Sequence, residues 1–219
     1  MRRIRKTSPP TRLKQWTNAN KASPNFNYDA LPGAVKAQLK RKLLLEQGGL
    51  CAYTGREISG LDSHVEHLKP QSEGTLGDDV DYWNVVACFP FDGGDTSHGY
   101  GAPLKADWWD ELLFVSPLTS ACEKRFSFSW SGKVTARPKG NAAALETIAR
   151  LGLDSRQLRL LRHSAIKGFF GFGAKMRPIT KHKARALLAE LRRSKPPSSL
   201  LGFCFVFLQL LPKYVPPRT

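Results

Sequence analysis

No stretch of this 219-residue sequence offers the ~20 consecutive apolar residues that a membrane-crossing helix needs. The apolar run Leu200–Leu211 is 12 residues long and contains Gln209, so it is expected as a buried helix or strand. The basic start (Arg2, Arg3, Arg5, Lys6) runs into Ser8-Pro9-Pro10 and not into an apolar segment, so no export signal is read and a cytoplasmic location is expected. Cysteine is scarce. The four residues, Cys51, Cys88, Cys122 and Cys204, are far apart, which argues against a disulfide framework. There is no internal repeat and no His-Glu-x-x-His helix motif, which sets aside solenoids and the common zinc proteases.

What the chain has instead is positive charge. The formal net charge is +16 and the pI about 10.0, a balance that implies a polyanionic partner. Its distribution says more than its total. Residues 1–47 carry 11 Lys/Arg against 2 Asp/Glu, residues 48–112 carry 3 against 12, and residues 113–219 carry 20 against 4. An acidic middle between basic flanks suits a protein that grips phosphates at its periphery and holds a cation at its centre. A nucleic-acid binder with a solvated acidic loop would read the same way.

Residues 1–29 are basic and rich in Pro, Asn and Ser, and are expected as an extended arm. Pro32 stands where a first helical turn begins, and Val35, Leu39, Leu43 and Leu44 recur at helical spacing up to Gln47. Gly48-Gly49 should end that helix. Leu50–Tyr53, a Thr54-Gly55 turn and Ser63–Leu68 read as an irregular hairpin, and 89–103 as a Gly/Asp-rich loop. Phe126, Phe128 and Trp130 alternate before Ser131-Gly132, with Lys133–Ala136 returning as a second hairpin. Asn141 can cap a helix to about Leu151, and Asp154 with Gln157 resembles a capping box for the next. In that next helix Leu158, Leu161 and Ala165 share one face, and Arg156, Arg159 and Arg162 fall on another. Pro178 and Thr180 open a last basic helix that stops before Pro196-Pro197. The expected class is α+β: a core over 30–118, then a hairpin and a helical basic subdomain over 119–219.

The chemistry concentrates in Ser63-His64-Val65-Glu66-His67-Leu68-Lys69-Pro70, followed by Tyr82-Trp83-Asn84 and a loop ending at Lys105. On a strand, His64 and Glu66 share a face and His67 points the other way. A carboxylate able to hold a cation beside an imidazole able to deprotonate water is what metal-assisted phosphodiester hydrolysis requires. A surface ion-pair cluster is the plainer alternative for so short a match.

Taken with Leu50-Cys51-Ala52-Tyr53, Val85-Val86-Ala87-Cys88, Ser116-Pro117-Leu118 and Cys122-Glu123-Lys124-Arg125-Phe126, this stretch resembles the HNH endonuclease family. It is closest to the bacterial branch containing the nuclease subunit of Septu-type and retron-associated antiphage systems. The resemblance implies a ββα-metal, treble-clef-like core, with Glu66 as metal ligand, His67 as general base, Asn84 pinning the hairpin loop and Lys105 near the scissile phosphate. It also implies one divalent metal, magnesium or manganese, nucleic acid as substrate (DNA ahead of RNA), a partner ATPase and no membrane role.

There are two departures from the family pattern, one at the second metal ligand and one at the structural zinc. Ala102 stands where many relatives place a second ligand, three residues before Lys105. His64 is the first candidate to replace it, and His98, with Asp92 and Asp95 on the same loop, comes next. Thr54 occupies the partner position of Cys51, and Tyr100 stands where a partner of Cys88 would be expected, so no structural zinc is expected. Phosphate grip is assigned to Lys69, Arg156, Arg159, Arg162, Lys181 and Lys183, with Arg185, Arg192 and Arg193 adding charge. Trp108-Trp109 and Phe169-Phe170 are read as core. Two further functions stay open: a noncatalytic nucleic-acid-binding module on a degenerate scaffold, and an anionic-lipid effector.

Overall fold

The computed structural model describes residues 1–172 and 178–215, and its fold is α+β. Helix α1 (Thr11–Asn20) lies within the stretch expected as an extended arm. Pro10 sits just before its first turn, where a missing N–H costs nothing. The helix turns Leu13 into the core, Trp16 stacks on Phe26, and Met1 and Ile4 are also buried. The segment is therefore part of the core, anchored by few apolar residues. Lys6 reinforces this by donating to the carbonyls of Tyr82 and Val85 and lying over the Tyr82 ring.

Helix α2 (Gly33–Gln47) follows Pro32 as the spacing predicts, burying Val35, Leu39 and Leu43. Gly48 ends it at φ 62, and a Cβ there would strike Leu200, so the turn also admits the C-terminal segment. Gln47, buried, donates to the carbonyls of Leu50 and Ala87 and accepts from the Ala87 N–H. One amide thus fastens the helix end to the sheet.

Strand β1 (His64–His67) pairs antiparallel with β2 (Val85–Cys88), in the register His64–Cys88 and His67–Val85. The expected pairing of 63–68 with 50–53 is not formed; Leu50 bridges only to Glu57. The reason lies in β2, whose residues are all buried and have backbone groups to satisfy. After the 89–101 loop comes the one-turn helix α3 (Ala102–Lys105), so the order around the motif is strand, strand, helix.

A second hairpin, β3 (Phe126–Phe128) with β4 (Val134–Ala136), forms where alternation places it. Helix α4 (Ala142–Arg150) is capped by Asn141. Helix α5 (Arg156–Phe170) is capped by Ser155 and not by Asp154, whose carboxylate instead accepts from the Val134 N–H. Helix α6 (Lys181–Arg193) opens on Thr180. The apolar run becomes α7 (Cys204–Tyr214), with Phe205, Val206, Phe207, Leu210 and Leu211 buried. Each such side chain contributes roughly 1.5–3 kcal/mol of burial. Phe169 stacks on Phe207 at 4.2 Å, and Trp108 and Trp109 pack on Phe114, so both aromatic pairs serve the core. Among the described residues, no helix is long and apolar enough to cross a membrane.

Candidate active site

The period of two in β1 divides the motif between two faces. On one face Glu66 is surrounded by three donors. Tyr53 donates to its Oε1 at 3.2 Å, Lys105 Nζ lies 3.2 Å from the same oxygen, and His64 Nε2 lies 3.3 Å from Oε2. His64 Nδ1 meets the Pro90 carbonyl. Burial alone would depress the His64 pKa, but the carboxylate of Glu66 and the Pro90 carbonyl outweigh it, and the net shift is upward. Tyr53 is fully buried; burial and the Glu66 charge push its phenol well above the ordinary value, so it remains a donor.

Lys105 is 2 % exposed. Besides Glu66 it donates to the carbonyls of His67 and Ala106, at 3.0 and 3.3 Å. The Lys105 ammonium is thus occupied inside the protein and bridges the two halves of the motif. It does not face solvent as a phosphate-contacting group would.

On the other face, His67 Nε2 lies 2.9 Å from the Asp79 carbonyl, and the Tyr28 ring meets the imidazole edge-on at 5.0 Å. A carbonyl can only accept, so Nε2 carries the proton and Nδ1 is left as the basic nitrogen. Burial lowers the His67 pKa, outweighing the Asp79 carbonyl and the nearby carboxylates. Tyr28 is itself fixed by its N–H donating to Asp79 Oδ2 at 2.7 Å.

Asn84 locks the connection between the strands. Its Oδ1 accepts from the Lys69 N–H, and its amide donates to the carbonyls of Lys69 and Asp78, at 2.8, 3.0 and 2.9 Å. Leu68 N–H donates to the Asn84 carbonyl at 2.8 Å. With Asp78 and Asp79 held this way, the acceptor that orients His67 is held too.

The other predicted residues are more scattered. His98 stacks on Tyr100 and meets the Phe89 ring at a tilt, 3.9 Å from Asp95. Among the described residues no group of three or more His, Cys, Asp and Glu converges as a metal cluster would, so His98 does not complete a triad with His64 and Glu66. Ala102 is buried. Cys51 and Cys88 are both buried and free, with burial pushing the Cys88 thiol well above its ordinary value.

Of the grip residues, Lys69 pairs with Asp78 at 2.9 Å, and Arg156, Lys181 and Lys183 are exposed. Arg159 pairs with Asp154 at 2.6 Å. Arg162, assigned to a solvent face, is 2 % exposed and donates to the carbonyls of Gly132 and Leu153, both at 2.7 Å. It holds the β3–β4 turn against α5. Burial lowers its pKa to about 10, against the pull of Asp154. A guanidinium so enclosed cannot reach a phosphate. Sequence reasoning gave no role to Tyr28 or Asp79, and no periodicity or motif in their surroundings marks them.

A divalent cation with ligands at about 2.1 Å holds adjacent donors roughly 3 Å apart. The 3.3 Å between His64 Nε2 and Glu66 Oε2 fits that spacing. The donor set present is thus one imidazole and one carboxylate, leaving most of a coordination shell to water.

No family model matches the chain. It is 28% identical over 168 residues to a retron Vc95 protein of Vibrio cholerae serotype O1 biovar El Tor whose name provisionally makes it an HNH endonuclease. The similarity covers 72% of this chain and 78% of the relative. It supports an HNH-type protein without choosing a branch of that family.

Proposed function

We propose that the chain is a divalent-metal-dependent endonuclease of the HNH type that hydrolyses phosphodiester bonds, with DNA ahead of RNA as substrate. The observation that carries this reading is the placement of a tautomer-fixed imidazole, His67, directly after a carboxylate, Glu66, which shares the opposite strand face with a second imidazole. Magnesium or manganese, held by Glu66 and His64, would stabilise charge on the phosphate and the departing oxygen. The rest is the work of the chain. His67 Nδ1 accepts a proton from the attacking water, while Asp79 holds Nε2–H and stabilises the imidazolium that forms. Asn84 keeps that carbonyl in place. Lys105 and Tyr53 hold Glu66 in one orientation and lower the cost of its partial burial.

The biological setting, defence against phage in company with an ATPase, is proposed on the family resemblance of the sequence alone; the relative's name adds that it belongs to a retron. A second reading has one observation in its favour. With Ala102 at the ligand position and two ligating side chains brought together, the scaffold suits a noncatalytic nucleic-acid binder as well.

Cleavage of supercoiled plasmid and of a mixed RNA pool decides between them. Wild type, His67→Ala and Glu66→Ala are compared with magnesium, manganese or EDTA. Metal-dependent cutting lost in both variants is the expected result. Tight, salt-sensitive binding with no cutting, even after the partner ATPase is added, would replace the nuclease reading with the second one.

A further inference from the structure

Arginines outside the motif fall into two groups that behave differently. Arg159 and Arg162 on α5 are consumed by Asp154 and by backbone carbonyls. A second group surrounds a cleft of about 460 Å³ where the N-terminal segment meets the end of α6. Arg2, Arg3, Arg5, Arg192 and Lys195 line it, and among the described residues none of the five makes an ion pair.

The two carboxylates in the walls do not neutralise them. Glu46 pairs with Lys42 at 3.1 Å and accepts from Thr7 and Tyr82. Glu123 accepts from the Arg3 backbone N–H at 2.9 Å. Five cations therefore face one carboxylate free of a cationic partner. Such a surplus in one concavity is self-repelling unless an anion fills it.

A second observation points the same way. Arg3 Nε, like Arg159 Nε on α5, is buried without any hydrogen-bond partner, but Arg159 has Asp154 beside it and Arg3 has no ion-pair partner; Arg2 spends one N–H on the thiol of Cys204, a weak acceptor, at 2.9 Å. Buried donors of this kind are satisfied in nearly all proteins, and an exception calls for a missing partner. The cleft's size is that of a small-ligand site. Four guanidiniums, whose forks match phosphate oxygens, together with the Thr7 and Ser120 side chains in the same wall, select the chemistry.

We propose that this cleft binds phosphate groups, either successive phosphates of a nucleic-acid strand or the polyphosphate of a free nucleotide. Its cations come from residues 2–5 and 192–195, so it exists only when the N-terminal segment is folded against the end of α6. It is separate from Glu66 and His67, and it does not depend on the nuclease reading.

Fluorescence anisotropy in EDTA, where cleavage plays no part, tests this. The full chain is titrated into labelled single-stranded and duplex DNA, labelled RNA and labelled ATP, over a range of salt. Arg5→Ala/Arg192→Ala removes two exposed cations that make no ion pair; Lys133→Ala/Lys139→Ala removes the same charge from exposed positions on either side of β4, outside the cleft. The expected result is a loss of about tenfold or more per guanidinium in the first variant. Its salt slope should fall by about 2, as for two lost phosphate contacts. The second variant should change much less, and inorganic tripolyphosphate should compete. Displacement by ATP identifies a nucleotide as the source, and displacement by oligonucleotides alone identifies a strand. Equal losses in the two variants, or unchanged binding in a folded Arg5→Ala/Arg192→Ala protein, would overturn the proposal. So would competition by polyglutamate as strong as by tripolyphosphate, which would make the cleft a dock for an acidic protein.

Discussion

The two faces of β1 are four residues long together, yet they are different solvents. On the Glu66 face, charges of both signs crowd one another: a carboxylate, an ammonium and an imidazole whose pKa is raised. On the His67 face, the imidazole meets a carbonyl and the edge of a phenol ring, and its pKa is lowered. Two histidines three positions apart are thus driven in opposite directions, which separates the proton affinities of the two faces. Local charge pairing and burial set the proton affinity of each histidine more than the motif in which both stand.

Breaking the His67 face should have the largest effect. His67→Ala is expected to lower the cleavage rate by ~10²–10⁴, the usual contribution of a general base, with the fold retained. His64→Ala should differ in kind: activity returns at higher metal concentration, because a ligand and not the base has been lost. A metal titration of both variants separates them. If metal rescues His67→Ala equally, the two faces do not divide the work as stated.

The next effect falls on the bridge between the faces. Lys105→Ala leaves Glu66 and the His67 carbonyl without their shared donor inside the protein. Removing one partner of a buried pair costs about 3–5 kcal/mol. Urea unfolding with and without Glu66→Gln in the same chain measures the coupling. A loss confined to activity, with stability intact, would show that the ammonium serves substrate after all.

His64, Glu66, His67 and Asn84 were legible in the sequence; Tyr53 and Lys105 as donors to Glu66, and Tyr28 and Asp79 at His67, were not. His64, Glu66 and His67 lie within four positions, and strand periodicity alone distributes them correctly. Tyr28 and the Asp79 carbonyl reach His67 through tertiary contacts that leave no local pattern. The partner of β1 was misjudged for a related reason. Leu50–Tyr53 is as apolar as Val85–Cys88, and composition cannot say which of two apolar stretches pairs. Gln47 settles it by holding Ala87 against the end of α2. Helix α1 was missed because Leu13 and Trp16 give too little periodicity among polar neighbours. Arg162 was misplaced because it occupies a helical position between exposed arginines, while its burial depends on the distant β3–β4 turn.

A moderate effect is expected at the loop that supports the base. Asn84→Ala deletes three hydrogen bonds to backbone groups, and should cost about 1–3 kcal/mol overall. Because the Asp78 carbonyl, next to the Asp79 carbonyl that orients His67, is released with it, the cleavage rate should fall more than binding does. A lower kcat with an unchanged Kd for uncleaved substrate checks this. An equal loss of both would mean that Asn84 shapes the binding surface and not the base.

The smallest effect is in pH, and it compares the faces directly. Raised above its ordinary value of 6.5, the His64 pKa contributes stability that is fully present below 6.5 and is lost as pH rises through the folded value. His67 runs the other way. Its folded pKa lies below 6.5, so the unfolded chain binds the proton more readily, and stability falls as pH drops from 6.5 through the folded value. The neutral base therefore persists on the acid side, and the acid limb of the rate profile should lie below 6.5. NMR titration of the imidazole protons in the metal-free protein should find His64 titrating above 6.5 and His67 below it. In Glu66→Gln the His64 midpoint should drop markedly, since the pairing that raises it is gone, while the His67 midpoint moves less. If both midpoints move together, the two faces share one electrostatic environment, and the strand does not insulate the base from the ligand.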